Sequence, residues 1–367
     1  MIEMRTILLT IVAMLAALGP LGTPAGAAEL NGPFPDILPK IDGEVPTICP
    51  DAPPAPATSL SVTSIYAKGD PSHSQIDEDQ FDEYSAGMEK VRSFLSSVTK
   101  FASDYASSKG AKLQSAICAL QWIDSWAKGG ALTDLVTRQA ALSSTRIVGG
   151  LAIAFLEVRP VADATDFDTT DIRKWFAAQA KSFIATYEES GNLNSNRSNH
   201  RYWGGFAVAA SGAIAGDLDT VKWGVQSFKI GACQITADGA LPLELNRKKR
   251  ARDYTLHAIA PMVMIGEIAA ANGLDAYGQC GGAFQRLVKF ALTSVEDPSK
   301  ITALTGTKQV SIPDRDGHPR ADRFAWVDPY FKRFGGSEAD YGFTLDRPVF
   351  SSNLGGRVTA YVEGQAN

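Results

Sequence analysis

The sequence predicts an all-α fold built from successive helical hairpins in one large domain. Apolar residues recur every three and four positions through a series of long segments. The links between these segments carry turn residues such as Gly129-Gly130 and Asn272-Gly273. No internal sequence repeat accompanies the pattern, so hairpin pairing leaves a bundle, a solenoid or a toroid as the architectures open to the chain.

Taken in order, the first element is a leader. Arg5 precedes an apolar run from Ile7 to Leu18, and Ala25-Gly26-Ala27 supplies a small-x-small cleavage site. The run has the length of a signal-peptide core and is too short to cross a bilayer comfortably. Residues 1–27 are therefore expected to be a secretory signal, and the mature chain of about 340 residues to be periplasmic or secreted, with no membrane attachment once the signal is removed. Residues 28–63, with stretches such as PDAPPAPATS, are proline-rich and lack a period, which predicts an extended arm on the surface. The helical period then begins. Met88, Val91, Leu95, Val98, Ala102 and Tyr105 mark one helix, and Ile172, Trp175, Phe176, Ala180, Phe183, Ile184 and Tyr187 mark another. Further helical patterns cover 112–128, 134–158, 201–214, 217–235, 254–272 and 279–294, and beyond about 296 the chain is less regular.

The formal net charge of -5 gives no global attraction for polyanions, so nucleic acid is not an expected partner and any such attraction must be local to a cleft. Four cysteines, Cys49, Cys118, Cys233 and Cys280, show no CxxC or CxxH spacing; in an oxidising compartment they predict two disulfides rather than a zinc site. Three pairings are open. Cys49 with Cys118 and Cys233 with Cys280 is the favoured one, the first bridge tying the arm to the helical body.

Two polar segments stand at helix starts. SNHRYWGGF, residues 198–206, holds the chain's single Asn-His pair, and RKKRAR, residues 247–252, puts five cations into six positions just before Asp253 and Tyr254. Alone, Asn199 reads as a helix cap, His200 as a surface residue and the cations as a solvated face. On a continuous helix, however, the spacing of Arg247, Arg250 and Tyr254 by three and seven would gather them near one face.

Together the segments carry a resemblance. SNHRYW resembles the NNHSYW motif of the bacterial alginate lyases of polysaccharide lyase family 5, and LPLELNRKKRARDY resembles that family's LPNELKRRQRALAY. CALQWIDSWAKGGAL, VKWGVQSFKIGACQITADGALP, FAWVDPY and LGGRVT extend the likeness in the same order along most of the mature chain. The resemblance implies an incomplete α/α toroid over 64–367 with a lid segment near 64–80, and a monomeric periplasmic enzyme that cleaves an acidic polysaccharide without cofactor or metal. It places Asn199, His200, Arg247 and Tyr254 at the catalytic centre and Tyr66, Tyr202, Trp203 and Arg250 among groups that bind substrate, to which Lys68 and Arg146, at positions that depart from the family pattern, are added as expected binding groups.

Those residue types suit β-elimination from a polyuronate. A proton leaves C5, beside the C6 carboxylate, and the glycosidic oxygen leaves C4, giving a 4,5-unsaturated end. An ionised carboxylate resists the second negative charge of the intermediate and must be neutralised. Arg247, with a bidentate fork, and Asn199, an amide donor, suit that task. In mannuronate the C5 hydrogen and C4 oxygen lie on one side of the ring, so Tyr254 can be both base and acid with neutral His200 on the carboxylate, or His200 can be the base and Tyr254 the acid. Arg247 and Arg250 are expected to favour the phenolate. Arg197 and Arg201 are expected to add to a basic groove.

Some positions depart from the family pattern. The lid that resembles SKYEGSDSAR reads SIYAKGDPSH at 64–73: Tyr66 and Asp70 are kept, Ile65 replaces a lysine for which Lys68 can substitute, His73 replaces an arginine, and Arg146 stands where the family has an aromatic. The reaction is thereby expected to hold while the preferred polymer shifts, with polymannuronate the first reading, polyglucuronate or another uronate-bearing exopolysaccharide the second, and a non-catalytic polysaccharide binder the third.

Overall fold

The computed structural model describes residues 30–363 except 190, 192, 313, 316, 317 and 320, with backbone alone described between 313 and 322. The expected signal at 1–27 lies outside the described residues. The body is made of paired helices: α1 (Glu78–Ser107) with α2 (Leu113–Lys128), α3 (Arg138–Ala164) with α4 (Thr170–Glu188), and α5 (Asn199–Ala215) with α6 (Leu218–Ala232). The one-turn α7 (Pro242–Leu245) leads into α8 (Ala251–Ala271), which pairs with α9 (Gln279–Glu296), and shorter helices α10 (Ser299–Thr305), α11 (Ala321–Phe324), α12 (Val327–Phe334) and α13 (Val358–Glu363) complete the chain.

Local chemistry sets the helix ends. Asp77 caps α1, accepting from the Gln80 amide at 3.1 Å, and Glu78 and Asp79 in the first turn face the positive end of the helix dipole. The segment from 134 differs from expectation: Asp134–Leu135 forms a short strand parallel to Ser59–Leu60, and Thr137 then caps α3. Beta-branched Thr133 and Val136 around a backbone edge already offered by the arm allow pairing there, and the helix starts only at the cap. Likewise Cys280, Gly281 and Gly282 take positive φ values, so the regular part of α9 begins after them.

Helices α1, α3, α5 and α8 pack successively side by side as an inner layer, and α2, α4, α6 and α9 flank them outside. Burial follows that layering: α3 and α5 are buried along almost their whole length, whereas α1 buries one stripe containing Tyr84, Met88, Val91, Leu95, Val98 and Ala102. Small residues permit the closest approaches. A Cβ on Gly224 of α6 would lie 2.7 Å from the Gly205 carbonyl oxygen of α5, so only glycine lets these two helices meet. The turn Ser352–Leu354 packs on α1, α3 and α8, bridging the first and last inner helices where helix-to-helix closure is missing. This is an incomplete α/α toroid.

The arm is more than a surface ribbon. Phe34, Ile37, Leu60 and Val62 are buried, and the indoles of Trp122 and Trp126 donate to the Asp51 and Pro54 carbonyls at 2.9 and 3.0 Å. Cys49 is bonded to Cys118 of α2, and Cys233, after α6, to Cys280 of α9.

Candidate active site

In a ring of hairpins the inner helices run parallel, so their N-terminal ends gather on one side. A cavity of about 580 Å³ opens there, walled by the early turns of α1, α3, α5 and α8 and covered by the segment 64–76. Unsatisfied N–H groups and helix dipoles make such a place favourable to negative charge.

Asn199 and His200 are the first residues of α5. Asn199 is not the cap that composition suggested. Ser198 holds the cap position without a side-chain bond, and the fully buried carboxylate of Glu244 on α7 takes that part, accepting from the Asn199 backbone N–H at 2.8 Å and from its Nδ2 at 3.0 Å. Glu244 also lies 4.0 Å from Arg247 Nε. Burial raises its pKa, while Arg247 and the two Asn199 donors pull the other way. One acid thus orients both donors expected to meet a substrate carboxylate. It sits inside the LPLELNR segment three residues before Arg247, a spacing that could have revealed it.

The five-cation run divides by direction. Lys248–Arg250 forms a single 3-10 turn before α8, so the run is not one continuous helix. Arg247 faces the cavity, its guanidinium carbon 4.4 Å from the centroid of the Tyr254 ring. Arg250 also lines the cavity, but its Nε donates to the Ser74 carbonyl of the lid at 3.1 Å. Arg252 is buried on the other side, donating to the Ser294 and Val310 carbonyls, and Lys248 is exposed.

His200 is held neutral. Burial, then the charges of Arg247 and Arg146, push its pKa down to about 3. His257, one turn after Tyr254 and packed edge-on to it at 6.1 Å, is driven well below its ordinary value by burial and by Arg146 and Arg323. Sequence reasoning passed over His257 because it sits within an apolar helix.

Over the site, Asp70 organises the lid by accepting from the Ser72 hydroxyl at 2.5 Å and from the Ser72, Ser74 and Gln75 amides; the Ser72 hydroxyl, with these amides, holds its carboxyl well below the usual range. Tyr66 stacks on His73 with ring centroids 5.2 Å apart, and burial pushes its hydroxyl up to about 12 against the pull of Arg247 and Arg250. Arg146 lies in the wall with Nη2 on the Tyr84 hydroxyl at 2.9 Å.

Two expected binding groups stand elsewhere. Lys68 is exposed at the lid's outer turn, outside the cavity lining, where a long ammonium side chain stays hydrated. Tyr202 turns into the core, 1% exposed, and donates to the Arg197 carbonyl at 2.8 Å, because its place on α5 faces α6 rather than the cavity. Arg201 also leaves the groove, stacking 3.8 Å over Trp223, and Arg197 is an exposed residue outside the lining. Trp203 instead reaches a smaller adjoining lobe. Among the described residues no three His, Cys, Asp or Glu side chains converge as a metal-binding group.

Residues 61–301 match the family described as alginate lyase. The chain belongs to the alginate lyase family. It is 31% identical to an alginate lyase of Pseudomonas entomophila over 84% of each chain, and 28% identical to one of Pseudomonas paraeruginosa over 85% of this chain and 84% of that protein. Among solved structures, alginate lyase A1-III from Sphingomonas species A1 matches with a TM-score of 0.73 at 22% identity, over 93% of this chain and 98% of that one. An alginate lyase from Bacteroides ovatus matches at 0.58 and 15% identity over 83% of each. These likenesses bear on the toroid; the family match makes this alginate lyase relative a polysaccharide lyase.

Proposed function

We propose that this lyase cleaves a polyuronate by β-elimination, with polymannuronate as its first substrate. The carrying observation is that Asn199, His200, Arg247 and Tyr254 line one cavity, with the first and third positioned by the same buried Glu244. The Arg247 fork and the free Asn199 amide hydrogen take the C6 carboxylate, lowering the cost of charge at C5. A histidine with a pKa near 3 has little driving force to take a proton from carbon, which favours Tyr254 as base and neutral His200 as a hydrogen-bonding partner of the carboxylate. The Tyr254 phenolate takes the C5 proton, the C5 electron pair becomes the C4–C5 double bond, and the C4–O bond breaks as the tyrosine returns a proton to the leaving oxygen.

Alginate lyase relatives support the polymannuronate reading. Ile65 and Arg146, both lining the cavity, support polyglucuronate as a second reading, since they change the groups around the sugar rather than those at the bond. The leader and the two disulfides support a periplasmic or secreted enzyme. The test is a screen of both polymers for new ultraviolet absorbance from the C4–C5 double bond, followed by kcat/KM on each. Silence on every polyuronate would leave a binding protein in place of an enzyme of this kind.

A further inference from the structure

The roof of the cavity holds an ionisable group that the elimination does not use. His73 belongs to the covering segment 64–76 and lines the same cavity as Tyr66, Arg247 and Tyr254. Its ring is stacked on Tyr66, with centroids 5.2 Å apart and planes 23° from parallel, and its backbone N–H donates to the Asp70 carbonyl at 3.2 Å. The turn gathered by Asp70 holds the residue at a φ of 47°, in the left-handed region that non-glycine residues seldom occupy, and with it the direction of the imidazole.

Two charged groups act on that imidazole and they oppose each other: Arg247, from the segment before α8, and Asp70, from the lid itself. Asp70 is already spent as an acceptor, since its two oxygens receive the Ser72 hydroxyl and the Ser72, Ser74 and Gln75 amides. Tyr66 beside it carries no charge near neutrality, its hydroxyl being pushed up to about 12 by burial. Burial, then the Arg247 charge, holds the His73 pKa below its ordinary value, with Asp70 pulling back, so the free lyase keeps this lid position uncharged near neutral pH. A polyuronate reverses the balance. A carboxylate on Arg247 cancels the charge that opposes protonation, and the polymer brings further negative charge under the lid, for which an imidazolium is a charge-assisted donor.

We propose that His73 is a proton-linked binding residue of the lid: it takes a proton from solvent as a polyuronate enters, and the imidazolium so formed closes on the negative charge of the polymer. The proposal rests on the polyuronate reading above. It makes the hold of the lid depend on pH without altering the groups at the scissile bond, and the new cation, facing His200 across the cavity, helps to keep that histidine neutral. The sign follows from linkage. The complex holds the proton more tightly than the free lyase, so affinity is greatest below the free pKa and is lost as pH rises through the raised pKa of the complex, by up to about tenfold per pH unit. His200 on the floor and His257, which faces both this space and the smaller inner lobe beyond it, are the other histidines within reach of the polymer.

The test measures binding of an oligomannuronate to the Tyr254→Phe protein by calorimetry between about pH 5 and pH 8, in two buffers of different ionisation heat. Binding is expected to take up as much as about one proton and to weaken toward the alkaline end. Adding His73→Gln should abolish the uptake and flatten the pH profile at the weaker level. His73→Arg, which supplies a permanent planar cation able to stack on Tyr66, should also abolish the uptake but flatten the profile at the tighter level. A merely structural role for His73 would weaken binding in both variants and leave the uptake in place, and that result overturns the linkage. Uptake that survives His73→Gln, which would belong to His200 or His257, or binding that takes up no proton in the parent protein, overturns it as well while leaving the polyuronate reading intact. Failure of every oligouronate to bind at any pH would sink that reading and the linkage together.

Discussion

The floor of the cavity and the lid above it are held by different kinds of contact. The floor residues Asn199, Arg247 and Tyr254 stand on or beside α5 and α8, whose other faces are buried in the core, and Glu244 beneath them is fully buried. The lid is held mainly by its own short-range bonds. Asp70 gathers the turn, Tyr66 pairs with Ile76 through a single bridge, and Arg250 donates once to the Ser74 carbonyl. Moving a floor residue therefore means disturbing packed helices, whereas the lid can shift as a local unit. Chemistry that needs fixed distances lies on the first kind of support and recognition of a polymer on the second.

The largest effect should come from the floor. Tyr254→Phe removes the hydroxyl proposed to take and return the proton, and turnover should fall by about 10⁴-fold, the upper range for acid–base groups, while oligosaccharide binding persists. The measurement is steady-state turnover alongside calorimetric binding. Full activity in Tyr254→Phe would leave His200 as the base despite its low pKa.

Arg247→Lys keeps the charge but loses the fork and the guanidinium placed over the Tyr254 ring, and should lower kcat by about a hundredfold with little loss of folding stability. If only KM rises, Arg247 binds the ground state and the transition state alike, and its place beside Glu244 concerns affinity rather than rate.

Acid should also test how the floor holds its histidine. His200 in the folded chain has a pKa of about 3 against an ordinary 6.5, so between those values the unfolded chain binds a proton that the folded chain does not. Stability contributed by neutral His200 is thus complete above pH 6.5 and falls as pH drops toward 3, by up to about tenfold in the folding equilibrium per pH unit. Asp70 is also depressed, from an ordinary 3.8, so its own share is lost only below that value, whereas His73 in the lid, lowered by burial and by Arg247, adds to the loss that begins below 6.5. Thermal unfolding followed between pH 7 and pH 4, within about ±0.1 pH, should therefore fall more steeply for the natural protein than for His200→Gln. Parallel curves would mean that the histidine is not held neutral by its surroundings.

The same division explains what the sequence disclosed. Periodicity located the helices because each buries a stripe or a whole surface, and the motif segments stood out because Asn, His and clustered Arg are unusual at the start of apolar helices. The residues behind them were harder to see. Glu244 looks like any acid near a cationic run until the fold places α7 under the start of α5. Arg92 and Arg323 are separated by most of the chain and meet only through the ring. Tyr202 and Trp203 are neighbours in one motif, yet a turn of about 100° per residue sends one into the core and the other to the inner lobe. Lys68 read as a replacement cation by sequence distance alone, which cannot say which side of a turn faces the groove.

The lid supplies the smallest effect and the sharpest contrast. Asp70→Ala removes the acceptor for the Ser72 hydroxyl and the amides of residues 72, 74 and 75, but it touches neither α5 nor α8. Tyr66 and His73 would lose their common support, so closure over the polymer should become less favourable and KM should rise several-fold, within about tenfold. Because the floor remains packed, kcat at saturating substrate should change less than KM, and the unfolding midpoint should move by no more than a few degrees, roughly the effect of 1 kcal/mol. Kinetics on a polyuronate with thermal unfolding of the same preparation checks both parts. A collapse of kcat with KM unchanged would mean that the lid, through Ser74 and Arg250, sets the position of the catalytic floor, and the two regions would then have to be treated as one mechanical unit.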